Sequence, residues 1–189
     1  MKTLVIYAHP WDGSFNNYIK EKTIDLLKKE NKEVDLIDLN KDGFDPVMRP
    51  EDLKLFSQGK YHDPLAENYV QRLLEADEIV MIFPIWWYGE PAILKGFYDK
   101  VFLKGHVYDQ VDYQLKGLLK AKNALILTTG NINKEYFNVL GNPIENVTAK
   151  ATLGLIGIEN HTWIHCPTVH LEEARNNFLN EIDNYFKQK

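Results

Sequence analysis

The chain has 189 residues, 44% apolar and 26% charged, with a formal net charge of −5. That length suits one domain, residues 1 to 189, around one core; the composition excludes disordered and fibrous classes, and the acidity excludes a basic field that would draw nucleic acid. Its single cysteine, Cys166, excludes a disulfide framework or a multi-thiolate zinc site, and no apolar run approaches the ~18 residues that membrane insertion needs, so a cytoplasmic location is expected.

Residues 2 to 8 form a nearly continuous apolar run, which predicts a strand covered on both faces. Helical spacing follows from Phe15 to Glu30 with Ile19, Ile24 and Leu27 in phase, and then a second strand from Glu33 to Asp38. The segment from Gly43 to Asp63 breaks the rhythm at Asp45-Pro46, Arg49-Pro50 and Gln58-Gly59; it predicts an excursion on the rim with one short helical piece around Glu51 to Phe56. A helix from Pro64 to Ala76 leads into a third strand, Glu78 to Phe83, and a helix from Pro91 to Phe102. A fourth strand at Asn123 to Thr128, a helix from Asn142 to Ile156, a fifth strand at Glu159 to His165 and a helix from His170 to Phe186 complete the chain. This alternation predicts an α/β, doubly wound, five-stranded parallel sheet of order 2-1-3-4-5 with helices on both faces, and ligands at the C-terminal strand ends.

Three loops lie at those ends. After the first strand, Ala8-His9-Pro10-Trp11-Asp12-Gly13-Ser14-Phe15-Asn16 carries a glycine turn and a hydroxyl cap at a helix start; this serves either as a plain N-cap or as an anion cradle. After the third strand, Phe83-Pro84-Ile85-Trp86-Trp87-Tyr88-Gly89 sets aromatic rings where a polar loop is the rule, either finishing the core or walling a flat ligand. After the fourth, Thr128-Thr129-Gly130-Asn131 offers hydroxyls and amides, followed by Tyr136. Cradle, wall and amide edge match the three parts of a flavin.

At these residues the chain resembles the NAD(P)H:quinone oxidoreductase family of flavodoxin-like flavoproteins, which contains DT-diaphorase and shorter bacterial members. The motifs are Ala8-His9-Pro10 with Ser14-Phe15-Asn16, then Phe83-Pro84-Ile85-Trp86-Trp87 with Pro91-Ala92-Ile93-Leu94-Lys95-Gly96-Phe97, then Thr128-Thr129-Gly130. The resemblance implies a noncovalent flavin, FMN or FAD, with NADH or NADPH as cosubstrate, a homodimer, and two-electron reduction of quinones or similar acceptors. It assigns His9, Ser14, Phe15 and Asn16 to the flavin's phosphate end, Pro84, Ile85, Trp86, Trp87 and Tyr88 to its ring, and Thr128, Thr129, Gly130 and Asn131 to its pyrimidine side. Tyr136 falls at the reactive edge as the catalytic candidate, Arg175 resembles an arginine that reaches toward the adenosine end, and Trp87 and Tyr108 are candidate substrate contacts. Two departures stand out: Asn131 replaces a second glycine, and Gly141-Asn142-Pro143 occupies the place of a histidine found in larger members.

The expected reaction is ping-pong hydride transfer in one pocket, with the backbone amides of residues 129 to 131 as donors to the charge that develops on the flavin. The resemblance also leaves open an accessory subunit of a potassium efflux system, with a transporter as partner, or a flavodoxin-like electron carrier. Elsewhere, His62-Asp63 reads as a surface pair, and no acidic residues stand at metal-ligand spacing around His161, His165 and His170.

Overall fold

A computed structural model describes residues 1–188. Five parallel strands form the main sheet in the spatial order β2 (Glu33–Asp38), β1 (Lys2–Tyr7), β3 (Glu78–Pro84), β6 (Asn123–Thr129), β7 (Asn160–Cys166). This is the expected 2-1-3-4-5 order, once a separate hairpin, β4 (Tyr108–Val111) with β5 (Gln114–Gly117), is set aside. Every residue of β3, the central strand, is buried, as a strand covered on both faces must be.

Helices α1 (Phe15–Lys29) and α6 (Glu172–Lys187) cover one face, packing Ile19, Leu27, Phe178 and Ile182 on Val5, Val80 and Leu125. The other face carries α3 (Pro64–Glu75), α4 (Ala92–Val101), the short α5 (Lys134–Val139) and a π-helix (Ile144–Leu153) over Leu4, Ile79, Met81 and Ile126. Each fully buried Leu, Ile or Phe contributes ~1.5–3 kcal/mol, so these two layers outweigh the surface ion pairs at ~0–1 kcal/mol each. Cys166 is one of the buried core side chains. Among the described residues, no helix is long and apolar enough to cross a membrane and no group of His, Cys, Asp or Glu could hold a metal ion.

Three elements differ from the sequence expectation. The β4–β5 hairpin turns on Asp112 and Tyr113, both left-handed at φ 49° and 63°, where the Asn-Gly signal of such a turn is missing. Helix α5 has six residues and escapes a periodicity search. The expected helix from Asn142 to Ile156 is wound as a π-helix, and its buried residues Ile144, Thr148, Ala149 and Leu153 recur at the spacing of that wider turn.

The rim excursion holds α2 (Pro50–Phe56) and is bolted to α4. Lys100, buried, donates to the Asp63 carboxylate at 2.6 Å and to the Asp45 carbonyl at 2.9 Å, and Asp63 also caps α3 through the Leu65 amide. The acid of the His62-Asp63 pair is therefore structural. Gly96, part of the aromatic-loop motif, lies against the excursion so closely that a Cβ would sit 2.3 Å from the Pro46 carbonyl oxygen.

Candidate functional site

Strands β1, β3 and β6 are neighbours, so the loops leaving their C-terminal ends meet at one place, the crevice where doubly wound folds hold ligands. The first loop folds back on itself: the Trp11 amide donates to His9 Nδ1 at 3.2 Å and the Trp11 ring lies over Gly13, where a Cβ would meet it at 2.5 Å. Burial lowers the His9 pKa and favours the neutral ring. Ser14 is the N-cap of α1, its Oγ accepting the Asn17 amide at 3.1 Å. The Phe15 and Asn16 amides lie beyond the reach of any carbonyl of their own helix, and no acidic side chain stands in its first turn. Asn16, buried, donates from Nδ2 to Thr129 Oγ1 at 2.8 Å and ties this loop to the end of β6, while its Oδ1 has no partner.

The second loop leaves β3 at Pro84 and stays on the sheet through the Ile85 amide, which donates to the Thr129 carbonyl at 2.8 Å. Trp86 and Gly89 then exchange both backbone bonds, at 3.0 and 3.1 Å, and close a two-residue turn on Trp87 and Tyr88 with φ 51° and 65°. Two bulky residues in the left-handed region cost of order 1–3 kcal/mol each. Trp87 is 97% exposed, so the strain there is not offset by packing within the chain. Replacing Trp87 with Asn, which tolerates that geometry, is expected to raise the stability of the isolated protomer by about 1 kcal/mol in urea denaturation at a protein concentration that keeps it monomeric.

The cleft between these loops measures about 350 Å³. Of the residues expected there, it brings together His9, Ser14, Phe15 and Asn16 from the first loop, Pro84, Ile85 and Trp86 from the second, and Thr129, Gly130 and Asn131 from the third. Trp11 and Val169 also line it and escaped the sequence reading; strand-end position was the available signal for Trp11, and none existed for Val169.

Six expected site residues do not line the cleft. Thr128 is fully buried on the opposite side of β6, its Oγ1 bound to His165 Nδ1 and Trp163 Nε1 at 2.8 Å each, because successive strand residues face opposite ways. Trp87 points to solvent, and Tyr88 leans away onto α5, 6.4 Å from the Tyr136 ring and edge-on to Phe137 at 6.3 Å. Tyr136 stands beside that turn, half exposed. Arg175 lies behind the cleft wall, donating to the Val169 carbonyl at 2.9 Å with its guanidinium 5.9 Å from the Phe15 ring. Tyr108 belongs to the hairpin, paired with Gly117 and packed on the core. The Gly130 amide is also unavailable as a charge-stabilising donor, since it donates to the Cys166 carbonyl at 3.0 Å.

A larger hollow, about 780 Å³, opens at the N-terminal edge of the sheet. Its charged groups pair with one another, Lys32 bridging Glu30 at 2.8 Å and Glu78 at 2.7 Å, whereas the smaller cleft is lined by Asn16, whose buried Oδ1 has no partner.

The model of the flavodoxin-like fold family matches residues 1–188. The chain is 32% identical over 152 residues to the ribosyldihydronicotinamide dehydrogenase [quinone] of Mus musculus, a match covering 71% of this chain and 66% of that protein, just under two thirds of its length. An NAD(P)H:quinone oxidoreductase from Methanothermobacter marburgensis superposes with a TM-score of 0.86 at 22% identity, over 98% of this chain and 95% of that one. An FMN-dependent NADH-azoreductase from Bacillus anthracis, solved with FMN, gives 0.81 at 18% identity over 100% and 99% of the two chains; at these identities both structures speak for the fold alone. The chain thus belongs to the flavodoxin-like fold family, and the curated relative it matches carries the name ribosyldihydronicotinamide dehydrogenase [quinone].

Proposed function

We propose that this chain is a flavin-dependent NAD(P)H oxidoreductase that reduces quinones or similar electrophilic acceptors by two electrons at a time. The observation that carries the reading is the cleft itself, where a capped helix start, an apolar aromatic wall and a threonine-glycine turn converge. The residues fit the cofactor: the helix start offers two amides and the positive end of its dipole to a phosphate, and the unpartnered Asn16 Oδ1 suits a ribityl hydroxyl. A volume of about 350 Å³ lies within the range of ligand sites, ~300–1,000 Å³, and suits the flavin mononucleotide portion that FMN and FAD share.

When bound, the flavin supplies the hydride-accepting and hydride-donating chemistry. The protein's part is to hold and shield it. Ile85 and Trp86 line the apolar wall and exclude water, Asn131 offers polar groups at the opposite edge, and Tyr136 stands next to the aromatic turn with its ring half exposed. The exposed Trp87, held at a conformational cost, supports a contact beyond the protomer, and we infer that a second copy covers the open side of the cleft.

Purified protein stripped of ligand and titrated with FMN is expected to quench flavin fluorescence with a Kd near or below ~1 μM, about −8 kcal/mol. With NADH or NADPH and a benzoquinone, double-reciprocal plots at several acceptor concentrations should be parallel, as donor and acceptor use the same pocket in turn. Protein that binds neither FMN nor FAD would end the reading; intersecting lines would end the shared pocket.

A further inference from the structure

We propose that His165 is a positioning residue for the cofactor cleft: its buried ring pins the turn at residues 130 to 133 onto β7 and so fixes where Asn131 and Tyr136 stand. The inference rests on the flavin reading above.

The hydrogen bonds assign the ring's protons. His165 Nε2 lies 2.7 Å from the Ile132 carbonyl, which can only accept, so Nε2 carries the hydrogen. Nδ1, 2.8 Å from Thr128 Oγ1, is then the bare acceptor, and the Thr128 hydroxyl donates to it while receiving the Trp163 indole N–H at 2.8 Å. A directed chain results, from Trp163 through Thr128 and His165 to the backbone of the third loop. Burial lowers the imidazole's pKa and favours the neutral ring, which stands edge-on to Phe137 at 5.6 Å and tilts against Trp163 at the same distance.

The turn needs such a pin because the sheet stops supporting it. Gly130 still donates to Cys166 and accepts from the Val169 amide at 3.0 Å, but past it the chain leaves the ladder. At the surface, Asn131 Oδ1 meets only the exposed His170 ring, at 3.1 Å. One residue on, the Ile132 carbonyl is fastened to His165 from inside; Asn133 then caps α5 through the Tyr136 amide at 2.9 Å. The ring also fills the space beside Gly130, where a Cβ would come 3.3 Å from His165 Cε1. Asn131, on the cleft edge, and Tyr136, beside the aromatic turn, are both placed by a loop that this side chain ties at the Ile132 carbonyl, alongside the Ile132 side chain on the core, Lys134 bonded to the Trp163 carbonyl at 2.9 Å and the buried Phe137.

The test compares wild type with His165→Gln, His165→Phe and Thr128→Val. FMN affinity by fluorescence quenching, the visible circular dichroism of bound FMN and the melting transition of the flavin-free protein are measured for each. Gln can place an amide N–H on the Ile132 carbonyl and is expected to keep the Kd within about threefold with an unchanged dichroic band. Phe fills the space without donating; it is expected to weaken FMN by about ten- to hundredfold and to alter the band shape, while melting remains cooperative. Thr128→Val, which frees the ring at Nδ1, should shift both readouts the same way by about three- to tenfold, and it carries the test alone if the Phe variant fails to fold. Equal losses in Gln and Phe, or Phe and Val variants that match wild type in Kd and dichroism, overturn the inference while the flavin reading stands. Wild-type protein that takes up no FMN overturns both.

Discussion

Asp63→Leu is expected to lower stability by about 4 to 6 kcal/mol in urea denaturation at pH 7, a large fraction of what a domain of this size has. About 3 to 5 kcal/mol comes from Lys100, whose ammonium is buried and would lose the carboxylate 2.6 Å away, with the Asp52 carboxylate left at 4.0 Å. Roughly 1 kcal/mol more comes from the lost cap of α3. The companion variant separates the two contributions. Asp63→Leu with Lys100→Met removes both charges and should recover most of the loss, leaving about 1 kcal/mol for the cap. A double variant as unstable as the single one would show that packing of the excursion, and not the stranded charge, sets the cost. The site enters the same account because α4 follows directly from the aromatic turn, and the excursion rests on α4 through Gly96 and Pro46.

The parts of the fold legible in the sequence are those where one physical cause dominates. Strands β1, β3 and β6 are covered on both faces, so their apolar runs are nearly unbroken, and their order follows from the helices between them. The convergence of three loops follows from that order alone, and ten of the expected cleft residues meet there for that reason. What stayed hidden depends on direction and on local geometry. The opposed facing of Thr128 and Thr129 was available from strand alternation, since only one of two successive residues can face the cleft. The outward turn of Trp87 and the β4–β5 hairpin were not available, because both use left-handed residues other than the Gly or Asn that would announce them. Arg175 and Tyr108 were singled out by likeness of motif, which carries no statement of where a side chain goes; the structure sets Arg175 behind the wall and Tyr108 in the hairpin. His165 lay in a strand whose edge burial is uneven, and its proposed role depends on hydrogen bonds to Thr128 and Ile132 that no spacing rule links to it.

The sharpest probe of the cofactor reading is Ser14→Asp, expected to weaken FMN by about hundredfold or more while the flavin-free protein stays as stable as wild type. Aspartate caps a helix as well as serine does, so the Asn17 amide keeps an acceptor, and a negative charge at the helix start is itself favourable to α1. Folding therefore gives no reason for a loss. A phosphate seated on the same helix start would meet that carboxylate at short range, and two unit charges ~5 Å apart at an effective dielectric of about 20 repel by roughly 3 kcal/mol, a little over two decades in Kd. Riboflavin supplies the control, since it has the same ring and ribityl chain without the phosphate. Its affinity should be nearly equal for wild type and variant, and raising the salt concentration should return part of the lost FMN affinity by screening. Equal losses for riboflavin and FMN would place the damage in the shape of the cleft; no loss for either would move the phosphate away from α1 and leave the free amides of Phe15 and Asn16 without the anion that their geometry suits.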